Sequence, residues 1–116
     1  MGKFAVGLGI FALIASAAAA AAEGKGIRFW NLTSKTIVEL RMSPAGTDAW
    51  GSNQCANDRD GAVDHDERLR ITGIGPGRYD LKVAFKDGRM CTVRNIEVKD
   101  AGIFSIGDKD VAHCAK

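Results

Sequence analysis

With 116 residues, 16 of them Lys or Arg and 14 Asp or Glu, the chain has a formal charge of +2 and material for one modest domain. Its basic residues are scattered singly, and the one short cluster, Arg68 to Arg70, follows directly on Asp66 and Glu67, so the electrostatic footprint of a nucleic-acid binder is missing. Nucleic acid is therefore excluded from the expected partners.

The chain opens with MGK, continues with FAVGLGIFALIA and then SAAAAAA, and meets its first acidic residue at Glu23. A basic start, an apolar run and a small-residue zone are the three parts of a secretory signal, with cleavage expected near Ala22. The uncharged run from Phe4 to Ala22 approaches the length of a membrane span, which makes a retained anchor the alternative. Its second half is nearly all alanine, however, and no charged stop-transfer cluster follows at once. No cysteine stands at the cleavage point to carry a lipid, and Gly2 lacks the Ser or Thr that N-myristoylation requires. The expectation is a signal peptide over residues 1–22 and a single domain over residues 23–116. The protein is then periplasmic or secreted, with no stable membrane insertion after signal cleavage. Of its 94 residues (116 less 22), 15 are basic, since Lys3 is lost, and 14 acidic.

Residues 27–31 (IRFWN) predict a first strand, with Trp30 near its end in the core or at the core edge. Residues 32–35 read as hairpin-like. Residues 36–43 predict a second strand with Val38, Leu40 and Met42 on one face and Glu39 and Arg41 on the other. Pro44 ends it, because proline donates nothing to a ladder, and residues 45–62 form a long polar excursion where function is to be sought. Strand character returns over residues 67–71, and GIGPG (Gly73 to Gly77) is a turn. It feeds RYDLKVAF, where Tyr79, Leu81, Val83 and Phe85 point one way and Asp80 and Lys82 the other. Lys86-Asp87-Gly88 marks a hairpin turn. In the partner strand, residues 89–98, Cys91 and Val93 are out of phase with Ile96 and Val98, which predicts a bulge near Arg94 or Asn95. Residues 103–106 are a last apolar piece before a polar tail. No segment after Glu23 carries a sustained helical stripe, so the expected fold is all-β: a small β-sandwich of six or seven mainly antiparallel strands.

Three cysteines, Cys55, Cys91 and Cys114, follow the signal, and an oxidising destination predicts one disulfide. Cys91 opens a strand within reach of a loop or tail cysteine, so it is expected to pair with Cys114 or with Cys55. Such a bridge adds roughly 2–4 kcal/mol to a small core. There is no CxxC, and no redox or nucleophilic role is expected.

Residues 57–67 (NDRDGAVDHDE) form the one cluster with ligand-like chemistry. Alternating oxygen donors followed by glycine are how a short loop wraps a hard cation, here with Asp58, Asp60, Asp64 and Glu67 as candidate Ca²⁺ ligands. With Gly61 at the sixth position of the helix-loop-helix calcium pattern, Asp58, Asp60 and Glu67 fall at the third, fifth and twelfth. The first position is Ala56, which has no ligand oxygen, and flanking helices are missing. Asp108 and Asp110 would add carboxylates if the fold brought them near. The plainer reading is that Asp, Asn and Gly populate any exposed turn. The cofactor expectation is accordingly none, or Ca²⁺. The two histidines, His65 and His113, are expected to be exposed, because a zinc or copper site would need them together with Cys114, and adjacent His113-Cys114 lacks ordinary ligand spacing. Ser43, Ser52 and Ser105 lie in no nucleophile-elbow context, so catalysis is not expected. In Thr47-Asp48-Ala49-Trp50-Gly51, Trp50 either pins the loop to the sandwich or, with Asp48, presents a contact surface.

NLTSKTIVELRMSPAGTDAWG (Asn31 to Gly51) and YDLKVAFKDGRMCTVRNIEV (Tyr79 to Val98) resemble a family of small exported bacterial proteins with a signal sequence and one β-sandwich domain. The shared elements are an Asn-x-Thr start, an Ile-x-x-Leu strand, Ser-Pro, Trp-Gly and a Tyr-Asp-Leu-x-Val-x-Phe-x-Asp-Gly hairpin, and the acidic run from Asp58 to Glu67 departs from the family pattern. The resemblance implies export and the sandwich fold, and no activity. Asn31-Leu32-Thr33 also matches an N-glycosylation acceptor. The leading expectation is a non-catalytic periplasmic or secreted module that binds a protein or envelope component through residues 45–62. Calcium binding by residues 57–67 is the alternative.

Overall fold

The computed structural model describes residues 26–114; the signal peptide expected over residues 1–22 lies outside the described residues. Six strands alternate with turns: β1 (Ile27–Leu32), β2 (Ile37–Pro44), β3 (Arg68–Ile71), β4 (Gly77–Phe85), β5 (Met90–Val98) and β6 (Ile103–Gly107). They form two three-stranded sheets, one ordered β3-β1-β6 and the other β2-β4-β5. Every pairing is antiparallel except β1 with β6. The fold is the all-β one expected. Its core lies between the sheets, where Ile27, Phe29, Leu69, Ile71, Phe104 and Ile106 of the first meet Ile37, Leu40, Met42, Leu81, Val83 and Phe85 of the second. The Phe29 and Phe104 rings pack across adjacent strands, tilted by 48° with centroids 5.4 Å apart.

Strand period fixes which residues reach that core. In β1 it turns Ile27, Phe29 and Asn31 inward and Arg28, Trp30 and Leu32 outward. Trp30 is thus not a core residue: it lies on the outer face with the Arg68 guanidinium 4.2 Å over its ring, and its Nε1 donates to Asp66 Oδ1 at 3.0 Å. In β2 a register shift between Ile37 and Glu39 buries Ile37 and leaves Val38 half-buried, while Leu40 and Met42 point inward as their spacing predicts. The strand runs one residue beyond its expected end, to Pro44, which an edge strand tolerates. In the β4-β5 hairpin, Tyr79 faces Ile96 and Leu81 faces Val93, so Asp80 alone opposes Arg94 and Asn95. This is the bulge that the phase change predicts, with Asn95 at φ 61°. The turn is closed by Gly88 at φ 98°, whose N–H donates to the Phe85 carbonyl.

Residues 32–35 do not close a hairpin. β1 and β2 belong to different sheets, and the segment carries the chain from one layer to the other. Asn31 holds this crossing. Wholly buried, its Oδ1 accepts from the Thr33 N–H at 2.9 Å and hydroxyl at 2.7 Å, and its Nδ2 donates to the carbonyls of Lys35 at 2.9 Å and Val63 at 2.8 Å. Its main chain bonds Glu67 and Asp66 in turn. With both amide hydrogens spent, the Asn31-Leu32-Thr33 triplet serves the fold, and a glycan on Nδ2 is incompatible with it.

Two short turns complete the domain. A 3₁₀ turn (Gln54–Asn57) lies against β3, where Asn57 Nδ2 donates to the Arg70 carbonyl at 2.8 Å and Gln54 exchanges hydrogen bonds with the Thr72 main chain. After β6, what the sequence presents as a polar tail instead folds back through the one-turn helix α1 (Asp108–Val111). Val111 is buried there, and Asp108 Oδ1 accepts from Ser34 N–H at 2.9 Å. A disulfide then ties Cys114 to Cys91 on β5, with Cα atoms 5.4 Å apart. Cys55 is buried and free, and its thiol is pushed up to about 11 by burial first, then by the charges of Asp58 and Glu39.

Two outcomes follow for the folded protein. Asn31→Asp removes the donors to the buried Val63 carbonyl and to the Lys35 carbonyl and adds a buried charge, so urea unfolding should show a loss of roughly 3 kcal/mol or more, whereas Arg28→Ala on the exposed face of the same strand should change stability by no more than about 0.5 kcal/mol. Alkylation followed by mass spectrometry should find no reactive thiol in the native oxidised protein, one (Cys55) in denaturant, and three after reduction in denaturant; a native-state adduct on Cys55 would contradict its burial.

Candidate partner-binding loop and acidic turn

The segment from Ala45 onward is strapped to the second sheet rather than left free. It starts at Asp80, whose carboxylate is buried on β4 at the bulge. Asp80 Oδ2 accepts from Gly46 N–H and from Arg94 Nη1, and Oδ1 from Asn95 N–H, each at 2.9 Å. Gly46 sits at φ 80°, the left-handed region that glycine occupies without strain, and this aims its N–H at the carboxylate. Ser43 and Thr47 shape the next turn: Ser43 Oγ accepts from Ala49 N–H at 2.9 Å and contacts Thr47 Oγ1 at 2.9 Å. Further on, Gly51 N–H donates to the Met42 carbonyl at 2.9 Å, Arg41 Nη1 donates to the Gly51 carbonyl at 3.0 Å, and Asn53 Oδ1 accepts from Leu40 N–H at 3.0 Å. The loop therefore runs back along the open edge of β2.

Both residues expected to meet a partner lie on this strap. Asp48, at φ 53°, points its carboxylate to within 3.7 Å of Arg94. Trp50 is half-buried, with the Lys82 ammonium 4.5 Å from its ring centroid. Arg41, Lys82 and Thr92 stand in register across β2, β4 and β5, so the cation beside the Trp50 ring has Arg41 as its neighbour on β2. Arg41 is also ion-paired with Glu39. Trp50 thus both pins the loop and shows part of its ring.

The four candidate calcium ligands are dispersed. Asp58 Oδ2 accepts from Asp60 N–H at 2.9 Å, Asp64 Oδ1 from the Thr36 hydroxyl at 2.8 Å, and Glu67 Oε1 from Asp64 N–H at 2.8 Å. Among the described residues their oxygens form no group of three within 4.8 Å. Asp108 Oδ1 accepts from Ser34 and Asp110 Oδ2 from Gly107 N–H, and neither joins the four in such a group. Val63, between the carboxylates, is buried and bridged to Ile37 by two main-chain hydrogen bonds, so the turn closes the open end of the sandwich. His65 Nδ1 donates to the Thr33 carbonyl at 2.8 Å and joins the Asn31 crossing.

One cluster escapes the sequence reading. Cys91, His113 and Cys114 bring their ligand atoms within 4.8 Å of one another, the one such group of three His, Cys, Asp or Glu among the described residues. His113 Nε2 lies 3.8 Å from Cys91 Sγ and 3.1 Å from the Thr92 carbonyl, which it caps at the edge of the sheet. The spacing of His113 and Cys114 conceals it because the third member comes from β5. The Cys91–Cys114 pairing was the signal for it.

Compared with protein families, curated proteins and solved structures, the chain matches none. Among the described residues, no helix is long and apolar enough to cross a membrane.

The Asp80 carboxyl is held below its ordinary 3.8 by the N–H groups of Gly46 and Asn95 foremost, against the opposing effect of its burial, and then by Arg94. A carboxyl depressed in the fold binds its proton more readily in the unfolded chain, so its stabilisation is complete above about pH 4–5 and is lost as pH falls through the folded value. Asp80→Asn should lower the melting temperature by several degrees at neutral pH and flatten its decline on acidification. Part of that decline remains from Asp87, which Arg89 N–H holds low in the same sense. A melting curve with unchanged acid dependence would contradict the assignment.

Proposed function

We propose that this is a non-catalytic periplasmic or secreted β-sandwich module that binds a protein or envelope component through residues 45–62, with Trp50 and Asp48 at the contact. The observation that carries the reading is the strapped loop. Hydrogen bonds from its N–H groups to Asp80, Ser43 and Met42, and from Leu40 N–H to Asn53, hold it along β2, and Trp50 lies half-buried beside Lys82. A loop ordered before it meets a partner loses little conformational freedom on binding, and a partly exposed aromatic beside cations is the composition of interface anchors. Export is supported by the apolar start of the sequence, by the resemblance of its Ser-Pro, Trp-Gly and hairpin elements to a family of small exported proteins, and by a disulfide suited to an oxidising compartment. The calcium alternative has less support, because Asp58, Asp64 and Glu67 already cap nearby groups.

Photo-crosslinking in the producing cell tests the reading. A photoreactive residue at position 50 should yield one or a few discrete adducts that are absent when it stands at position 28, on the outer face of the other sheet. Adducts of position 50 should fall at least severalfold in a Lys82→Glu background. No adduct at position 50, or the same set at position 28, overturns the proposal.

A further inference from the structure

Independently of the loop, we propose that Cys91, His113 and Cys114 form a redox-gated binding site for a thiophilic d¹⁰ cation, Zn²⁺ or Cu⁺, closed in the disulfide form and open after reduction. The three side chains converge from two elements, Cys91 from β5 and His113 and Cys114 from the turn after α1. Their ligand atoms already lie within 4.8 Å of one another. A tetrahedral centre with Zn–S near 2.3 Å and Zn–N near 2.0–2.1 Å sets its ligands about 3.3–3.8 Å apart. The separation of His113 Nε2 from Cys91 Sγ, 3.8 Å, meets this without movement. Opening the S–S bond lets the two sulfurs move to the same spacing. Two thiolates and an imidazole suit borderline and soft cations over Ca²⁺ or Mg²⁺, and three protein ligands leave a fourth position for solvent or a small ligand.

Access follows from burial. Cys91 is buried, Cys114 half-buried and His113 exposed, so an incoming thiolate reaches the Cys114 sulfur first. A dithiol reductant attacks Cys114 Sγ; the S–S bond breaks, and Cys91 leaves as a thiolate beside His113. The second thiol of the reductant then displaces Cys114 from the mixed disulfide. The protein ends with two thiols and the reductant with one disulfide, a balanced two-electron exchange. Binding of the cation releases the two thiol protons, and the neutral imidazole carries its hydrogen on Nδ1 so that Nε2 presents a lone pair. That exchange detaches Nε2 from the Thr92 carbonyl and uncaps this point of the β5 edge.

Co²⁺ serves as the spectroscopic probe for Zn²⁺. The full chain, reduced with a phosphine and freed of excess reductant without air, should develop a near-ultraviolet thiolate-to-cobalt charge-transfer band saturating at one equivalent. The band should be bleached by Zn²⁺ and survive in Cys55→Ala. The oxidised protein should give none, Cys114→Ser should abolish the band, and His113→Ala should weaken binding about tenfold or more. Competition against a Cu⁺-selective chromophoric chelator assigns the preferred ion, and capture of either ion by these three residues supports the proposal. Four results would overturn it: neither a cobalt band nor Cu⁺ capture in the reduced protein, a band lost in Cys55→Ala, affinity unchanged in His113→Ala, or loss of the β-sheet circular dichroism on reduction alone.

Discussion

A single buried amide fixes the crossing between the two layers of this domain. Asn31 stands where strand period would place an apolar residue, and burying an amide costs about 1–3 kcal/mol unless its partners are supplied. Here all four are, from Thr33, Lys35 and Val63. Because those partners lie on the crossing to β2 and on the turn that closes the sandwich, satisfying one side chain sets the path of two connections. Thr33 is itself wholly buried, its hydroxyl oxygen accepts from the Lys35 N–H, and His65 donates to the Thr33 carbonyl from outside. The network is polar, local and complete, which is the condition under which a polar group specifies a core rather than weakening it.

The irregular segments have a common task at the sheet edges. Two three-stranded sheets have four edges, each a row of main-chain groups open to other chains. The strap from Gly51 to Asn53 and the bridge at Val63 cover β2, the side chains of the 3₁₀ turn cover β3, and His113 with the disulfided tail covers part of β5. β6 keeps Ile103 exposed on its outward side. A core this small leaves little stability to spare, and edge cover that also brings a disulfide and extra buried apolar groups, such as Val63 and Val111, serves both ends.

How much of this was legible in the sequence depends on range. The alternation in RYDLKVAF, the Asp87-Gly88 turn and the phase change between Val93 and Ile96 are encoded within a few residues, and the hairpin with its bulge follows from them. Residues 32–35 look like a hairpin because a turn signal between two strands does not say whether the strands share a sheet; that is decided by Asn31 reaching Val63 far along the chain. The contacts of the acidic run are hidden from the sequence for a similar reason. A carboxylate's partner is chosen by tertiary approach, and Thr36, Trp30 and main-chain N–H groups arrive first. Trp30 is a different case: its own strand alternation places it outside, opposite Phe29, and bulk alone suggests the core.

The pairing of β1 with β6 couples the earliest strand of the domain to the latest. Arg28 lies opposite Ile103, in the parallel arrangement, with four other strands between them in the chain. Until β6 has been made and has found β1, the first sheet lacks one of its three strands and the Phe29 ring lacks Phe104. Contacts between such distant residues are slow to form, because the chain entropy of closing the loop is spent before they return anything. A nascent copy of this chain therefore has the strands of the β2-β4-β5 sheet and of the β1-β3 pair before β6 exists, and completes the first sheet and its core only when the whole domain is present.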